Sequence, residues 1–224
     1  IDEQDVRLEL PGGDVSGVAV FFPGSADVPA NALTSPWALA LLDAGWAVAT
    51  SDFHGASWGS PSSSADLQAL LAWTSSLTDA TPRLFVSHGM GATTSLAAMA
   101  RRPAAPIPCW YSAAPVVDLV SQVETDPAVQ DQILDAWGRV PGTQEAPLAV
   151  VDTLPTETAY RVAAPPAGAP ALLVQDSATL VASLESSGHA VTTATLTADD
   201  PLTTDDAVAL DPADLLGFAE GCDA

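Results

Sequence analysis

Short apolar runs rich in β-branched and aromatic residues alternate along this chain with segments whose apolar residues recur at helical spacing. This alternation is typical of a parallel β-sheet flanked by helices, because a crossover helix must carry the chain back before the next parallel strand begins. The predicted strands are Val6–Leu10, Val18–Phe22, Trp46–Thr50, Leu84–Val86, Ile107–Tyr111, Ala171–Gln175 and Val191–Leu196. The predicted helices run from Pro36 to about Gly45 and over Ser64–Leu77, Ala92–Ala100, Ala128–Trp137, Thr179–Ser187 and Asp211–Glu220.

The pattern weakens between about residues 116 and 170, where prolines accumulate. We interpret 116–170 as an irregular, lid-like insertion that contains the helix Ala128–Trp137 and otherwise loop. With 224 residues, 48% of them hydrophobic, the chain can bury one large core but is short for two. We therefore predict a single α/β domain over residues 1–224, with a mostly parallel sheet and helices on both faces.

The composition is strongly acidic: Asp and Glu total 28 and the basic residues total 6, all arginine, for a formal net charge of -22. Phosphate backbones and anionic lipid headgroups would repel such a surface, which excludes ordinary nucleic-acid binding and attachment to a membrane through a basic face. No apolar run approaches the roughly 20 residues that span a bilayer, and the polar first residues do not resemble a signal peptide. No metal-ligand spacing is visible, and we expect neither metal nor cofactor.

One segment carries a specific resemblance. Residues 84–92, Leu-Phe-Val-Ser-His-Gly-Met-Gly-Ala, lie between a predicted strand and a predicted helix. They resemble the nucleophile elbow of the α/β-hydrolase superfamily, a sharp strand-to-helix turn in which small residues flank an exposed nucleophile. Residues 18–24 resemble its strand and oxyanion turn, 51–57 its Asp-x-x-Gly-x-x-Ser loop and 211–218 its closing helix. The resemblance implies an α/β-hydrolase-like fold over nearly the whole chain except the middle third.

The catalytic residues of that superfamily do not carry over. The elbow position of the nucleophile is Gly89, which has no side chain. Alignment of residues 174–179 with the pattern His-Gly-Asp-x-Asp-x places Ala178 at the acid position and Asp176 two residues earlier. The loop at the histidine position contains Asp199 but no histidine. Three separate losses indicate a domain without the chemistry, because a nucleophile needs a positioned base and an orienting acid.

Alternative candidates for a rearranged site remain. Ser87 is one, because Ser and Gly look exchanged in the elbow, although it lies two residues before the turn. His88 is a candidate base, with a structural role beneath the elbow as the simpler interpretation. His54 lies on a loop at the carboxyl end of the sheet, where such folds bind ligands, and pairing with Asp52 or Ser57 is possible there.

The same loop contains the candidates for contact with a partner: Trp58, His54 and Ser57. Trp58 stands in a stretch rich in Gly, Ser and Pro, whereas Trp37 and Trp73 fall on helical stripes and are predicted to be core. The third histidine of the chain, His189, precedes the last strand and is expected to be exposed.

Cys109 and Cys222 are the two cysteines. In a doubly wound fold the helices run antiparallel to the strands, so a helix ends near where strands begin. Cys109 lies early in a predicted strand and Cys222 just after the closing helix, which places both at the end of the sheet opposite the elbow. This topology favours a Cys109–Cys222 disulfide and an oxidising compartment. The alternative is a buried Cys109 and a free thiol at Cys222.

These observations predict a non-catalytic α/β-hydrolase-like domain that serves as a binding or structural scaffold. The composition favours an extracellular or virion-surface location, as a phage tail or capsid-decorating protein or a secreted surface protein. Its partner would be another structural protein or a cell-surface glycan. The alternative is an active serine hydrolase or esterase with a rearranged site, which would use Ser87 or Ser57 with His54 or His88. A third interpretation, a calcium-dependent adhesion module, rests on the doublets Asp199–Asp200 and Asp205–Asp206, which lack a known loop spacing and are expected to be solvated surface.

Overall fold

The computed structural model describes residues 4–25, 29–101, 106–166, 168–196 and 210–223. Its strands are β1 (Val6–Glu9), β2 (Gly17–Phe22), β3 (Trp46–Ser51), β4 (Pro82–His88), β5 (Cys109–Ala113), β6 (Ala159–Ala164) and β7 (Val191–Thr195). They form one sheet in the order β1-β3-β2-β4-β5-β6-β7. β1 pairs antiparallel with β3, and every other neighbouring pair is parallel. The predicted α/β class with a mostly parallel sheet is confirmed.

The helices are α1 (Pro29–Ala32), α2 (Pro36–Asp43), α3 (Pro61–Thr78), α4 (Met90–Ala100), α5 (Leu119–Thr125), α6 (Pro127–Trp137), α7 (Ala171–Ser186) and α8 (Pro212–Ala219). Short 3-10 helices cover Thr143–Glu145, Pro147–Thr153 and Glu220–Asp223. Proline begins α2, α3, α6 and α8, where its missing N–H has no partner to lose. Among the helices described, none is long and apolar enough to cross a bilayer.

The core has two layers, one on each face of the sheet. Successive side chains of a strand point to opposite faces, so Val18, Val20 and Phe22 of β2 pack toward α3, α4 and α7. Ala19 and Phe21 pack on the other side, toward α2 and α8. Every residue of β2 and β3 is buried, as expected for central strands with helices on both faces.

One predicted strand is a helix, and one strand was not predicted. Residues 171–175 form the first turns of α7, whose later turns include the predicted helix 179–187. A short apolar run such as Ala-Leu-Leu-Val fits either structure, but Asp176, Leu180 and Leu184 are buried at helical spacing. The strand between β5 and β7 is β6 instead, within the segment 116–170 that was interpreted as a lid. The part of that segment between β5 and β6 holds α5, α6 and two of the 3-10 helices.

His189, expected to be exposed, is buried, with 6% of its surface accessible. Its Nε2 donates to the carbonyl oxygen of Val151 at 3.0 Å, and its ring packs edge-on against Tyr160. The carbonyl that accepts this hydrogen bond belongs to the 3-10 helix Pro147–Thr153, which is distant in sequence. No local pattern around His189 therefore signals its burial.

Candidate functional site

The turn between β4 and α4 has the backbone of an elbow. Gly89 has φ 51° and ψ -117°, a backbone conformation that residues other than glycine rarely adopt. Its N–H donates to the carbonyl oxygen of Ala113 at 3.1 Å, and its own carbonyl accepts from Ala92 and Val116. These bonds connect the end of β5 and the first turn of α4 to a single residue, so the turn is fixed from three sides.

No side chain stands at the apex of this elbow. A Cβ built on Gly89 would meet nothing within 4 Å, so the position opens onto free space. Gly91, two residues on, differs: its Cβ would lie 2.0 Å from the carbonyl oxygen of Phe22. The start of α4 therefore lies directly against the end of β2, and only glycine permits that approach. The apex of the elbow therefore presents no nucleophilic side chain.

Ser87, the alternative nucleophile, does not reach the elbow surface. It is fully buried in β4, and its Oγ donates to the carbonyl oxygen of Tyr111 at 3.3 Å. His88 is the last residue of β4 and is half-buried. The structure therefore places Ser87 in the core of the sheet, where an acyl substrate cannot approach it.

Ala178, aligned with the catalytic acid, is an exposed residue in the middle of α7. The alignment was wrong because it treated α7 as the strand that precedes the acid. The loop that does follow β6, residues 165–170, reads Pro-Pro-Ala-Gly-Ala-Pro and contains no carboxylate. Asp176 is buried, and its Oδ2 accepts the N–H of Val117 at 3.0 Å. It connects α7 to the loop after β5, and burial raises the pKa of its carboxyl.

Asp199, at the histidine position, lies outside the described residues, as do Asp200, Asp205 and Asp206. In the part of the chain that the structure describes, no three His, Cys, Asp or Glu residues come together in a way that would hold a metal ion.

The loop from β3 to α3 has an unusual backbone. Three non-glycine residues there have positive φ: Phe53 at 47°, His54 at 61° and Trp58 at 45°. Such conformations persist only when the surroundings impose them, and they are frequent at functional sites. One constraint comes from the end of α4, where Arg101 donates to the carbonyl oxygen of Gly59 at 3.0 Å.

His54 pairs with a carboxylate that the sequence analysis did not single out. Its Nδ1 lies 2.7 Å from Oδ2 of Asp66, and the side chains of His54 and Asp66 are 54% and 9% exposed. The side chain of Asp52 accepts from the backbone N–H of His54 at 3.4 Å. In the sequence, the signal for this pair was Asp66, a carboxylate that stands beside Leu67 on the apolar stripe of α3. The carboxylate of Asp66 accepts a hydrogen bond from Nδ1 of His54 and thereby orients the ring, so the proton of this bond is on Nδ1.

Ser57 and Trp58, expected to contact a partner, are both buried. Ser57 is buried, and its Oγ lies 3.0 Å from Oγ1 of Thr94, so it bonds to α4 instead of His54. Trp58 is 2% exposed; its Nε1 donates to Gln132, and its carbonyl accepts from Trp137. Helix α6 packs against the ring. A cavity of about 390 Å³ beside it is lined by His54, Ala56, Ser57, Ser60, Ser62, Gln132, Asp135 and Ala136.

The opposite end of the sheet carries the disulfide Cys109–Cys222, with Cα atoms 5.7 Å apart. Beside it, Asp214 of α8 accepts from Nε of Arg161 and from the hydroxyl of Tyr111, each at 2.9 Å. The Arg161 guanidinium lowers the pKa of Asp214, and burial together with Asp214 raises that of Tyr111. This network holds α8 on the sheet far from the elbow.

No protein-family model matches the chain, and a search of curated protein sequences finds no match. Solved structures do resemble it. A lipase in its open form matches with a TM-score of 0.67 at 16% identity, over 97% of this chain and 94% of that one. An esterase from Rhizomucor miehei matches with a TM-score of 0.70 at 13% identity, over 98% of this chain and 76% of that one.

The acylaminoacyl peptidase of Pyrococcus horikoshii matches 87% of this chain with a TM-score of 0.66 at 10% identity, and this chain spans 34% of its length. Sequence identities this low show a shared fold and do not show a shared activity. The TM-scores and the shares of each chain that match show a common fold. The seven-stranded, mostly parallel sheet of this chain with its flanking helices is the α/β-hydrolase fold.

Proposed function

We propose that this chain is a non-catalytic α/β-hydrolase-like domain that serves as a binding or structural scaffold. One observation carries the proposal: the elbow between β4 and α4 has the backbone of a nucleophile turn, but its apex is Gly89. Acyl transfer through a covalent intermediate needs an oxygen or sulfur atom at that apex. A glycine supplies neither, while it adopts the turn without strain.

The rest of the site supports the proposal. The loop after β6 contains no acidic residue, and residues 197–209 contain no histidine in their sequence. The alternative, a hydrolase with a rearranged site, would use Ser87 or Ser57 as its nucleophile. Both serines are buried. The hydroxyl of Ser87 bonds to Tyr111, and that of Ser57 bonds to Thr94. His54 does have a carboxylate partner, but acyl transfer also needs a nucleophile within reach of the base, and the candidates Ser87 and Ser57 are both buried.

We propose an extracellular or virion-surface location, with another structural protein or a cell-surface glycan as the partner. The disulfide Cys109–Cys222 supports this location, because such bonds persist in oxidising compartments. The net charge of -22 favours solubility on an exposed surface.

The test is incubation with a fluorophosphonate probe and with short-chain acyl esters, beside an active serine esterase as the positive control. We expect no labelling and no turnover above that of the heat-denatured protein. Stoichiometric labelling of any serine would overturn the proposal. Ser87→Ala and Ser57→Ala variants would then identify the labelled residue.

A further inference from the structure

The two outer strands of the sheet differ in how their edges are protected. β1 carries Arg7 and Glu9 at exposed positions, with Asp5 just before it. β7 reads Val-Thr-Thr-Ala-Thr and has no charge, no proline and no bulge. Among the described strands none pairs with its outer side. An edge without such protection is a template for pairing with a further strand.

The hydrogen bonds between β6 and β7 show which groups of β7 are turned outward. The carbonyl oxygen of Ala190 accepts from β6, and the N–H of Leu196 donates to β6, both at 2.8 Å. In a parallel ladder, residues that turn both N–H and C=O to one neighbour alternate with residues that turn both away. Val191, Thr193 and Thr195 therefore direct both backbone groups away from β6, and two of them, Thr193 and Thr195, are exposed.

We propose that β7 pairs with β7 of a second copy of this chain, antiparallel across a two-fold axis at Thr193. Thr193 then lies opposite Thr193 of the second copy, and Val191 lies opposite Thr195 in both directions. Each copy contributes the outward N–H and C=O groups of these three residues, and the two sheets become one continuous sheet. The opposed side chains are all β-branched, which is a favourable set of cross-strand pairs.

The charge distribution along the chain favours β7 as the surface at which two copies meet. Two chains of net charge -22 repel each other, so a stable contact requires a surface without carboxylates. No Asp, Glu, Lys or Arg occurs in the sequence from Ser186 to Leu196, and the one histidine there, His189, is buried. The nearest carboxylates in the sequence are Glu185, before this segment, and Asp199, after it. Salt screens the remaining repulsion between the two copies, so dimerisation should strengthen as ionic strength rises.

The first experiment measures mass by light scattering and sedimentation over a range of protein and salt concentrations. We expect a dimer that is favoured by salt. Thr193→Pro removes the outward N–H at the axis, which the ladder within one chain does not use, and should give a monomer. Thr193→Val keeps that N–H and a β-branched side chain and should remain dimeric. A monomeric wild type at the highest concentrations, or a Thr193→Pro protein that remains dimeric, would overturn the proposal.

The second experiment tests the register and does not depend on how Thr193→Pro folds. Hydrogen-bonded antiparallel partners have Cα atoms about 5.5 Å apart, within disulfide reach, so Thr193→Cys should crosslink to itself under mild oxidation. In Val191→Cys the two new thiols stand about 13 Å apart, four residues along the strand. Val191→Cys alone should stay uncrosslinked and should crosslink when mixed with Thr195→Cys. Equal self-crosslinking of the residue 191 and 193 variants would contradict the two-fold pairing.

Discussion

Gly91 is the residue at which a single methyl group should damage this fold most selectively. A Cβ there would lie 2.0 Å from the carbonyl oxygen of Phe22 and 2.9 Å from that of Pro23. Both obstacles are backbone, so no rotamer change relieves them, and α4 would have to move away from the end of β2. We therefore expect Gly91→Ala to destabilise the domain substantially.

The magnitude follows from two opposing effects. Overpacking of a filled core costs about 1 to 3 kcal/mol, and the contact at Gly91 belongs at or above the upper end of that range. Alanine in place of glycine in a helix returns up to about 1 kcal/mol. The net loss in the free energy of unfolding should be about 2 kcal/mol or more, a large part of the roughly 5 to 15 kcal/mol that holds a domain folded.

Gly89→Ala is the matched control, since a Cβ on Gly89 meets nothing within 4 Å. Its loss should be about 1 to 3 kcal/mol, which is the cost of holding a non-glycine residue in a sparsely populated backbone conformation. Urea denaturation followed by tryptophan fluorescence measures both variants. A Gly91→Ala protein within about 0.5 kcal/mol of wild type, the range of neutral surface changes, would refute the close approach of α4 to β2.

Three further outcomes are expected. Gly89→Ser alone should remain inactive toward acyl esters, because triad residues act as a unit; robust turnover would mean that a base and an acid do reach the elbow. Titration in denaturant without reductant should find no free thiol, and reduction of Cys109–Cys222, 113 residues apart, should lower stability by about 4 to 5 kcal/mol; two titratable thiols per chain would contradict the bond. Burial raises the pKa of Asp176, so the folded state holds its proton more tightly than the unfolded state. Wild type should therefore lose stability relative to Asp176→Asn as pH rises from about 4, the unfolded carboxyl pKa, through the raised folded value; parallel stability–pH profiles would refute this.

Local patterns predicted the parts of the fold that local forces determine. The strand, turn and helix around Gly89 follow from an apolar run, a glycine and an Ala-rich segment, and all three elements are present. The topological argument for Cys109 and Cys222 also used only the direction of strands and helices, and their Cα atoms lie 5.7 Å apart.

The features that the sequence analysis missed depend on distant partners. β6 contains Arg161, an unlikely residue for an interior strand until Asp214 on α8 neutralises it. His54 has its carboxylate on the following helix rather than in its own loop. Trp58 lies in a stretch typical of exposed loops, but it is buried in a cluster with residues of α4, α5 and α6. Each of these contacts requires tertiary structure, which periodicity alone does not encode.

The disulfide also changes the covalent topology of the molecule. Together with the backbone it forms a closed ring from Cys109 to Cys222, which contains β5, β6 and β7 and leaves β1 to β4 on an open branch. A protease that cuts once inside the ring opens it without separating the products, because both remain attached through sulfur. Such a nicked chain would migrate at full mass without reductant and as two fragments with it. The part of the chain that carries these three of the seven strands can thus lose a peptide bond while the two products stay at the effective concentration of a single molecule.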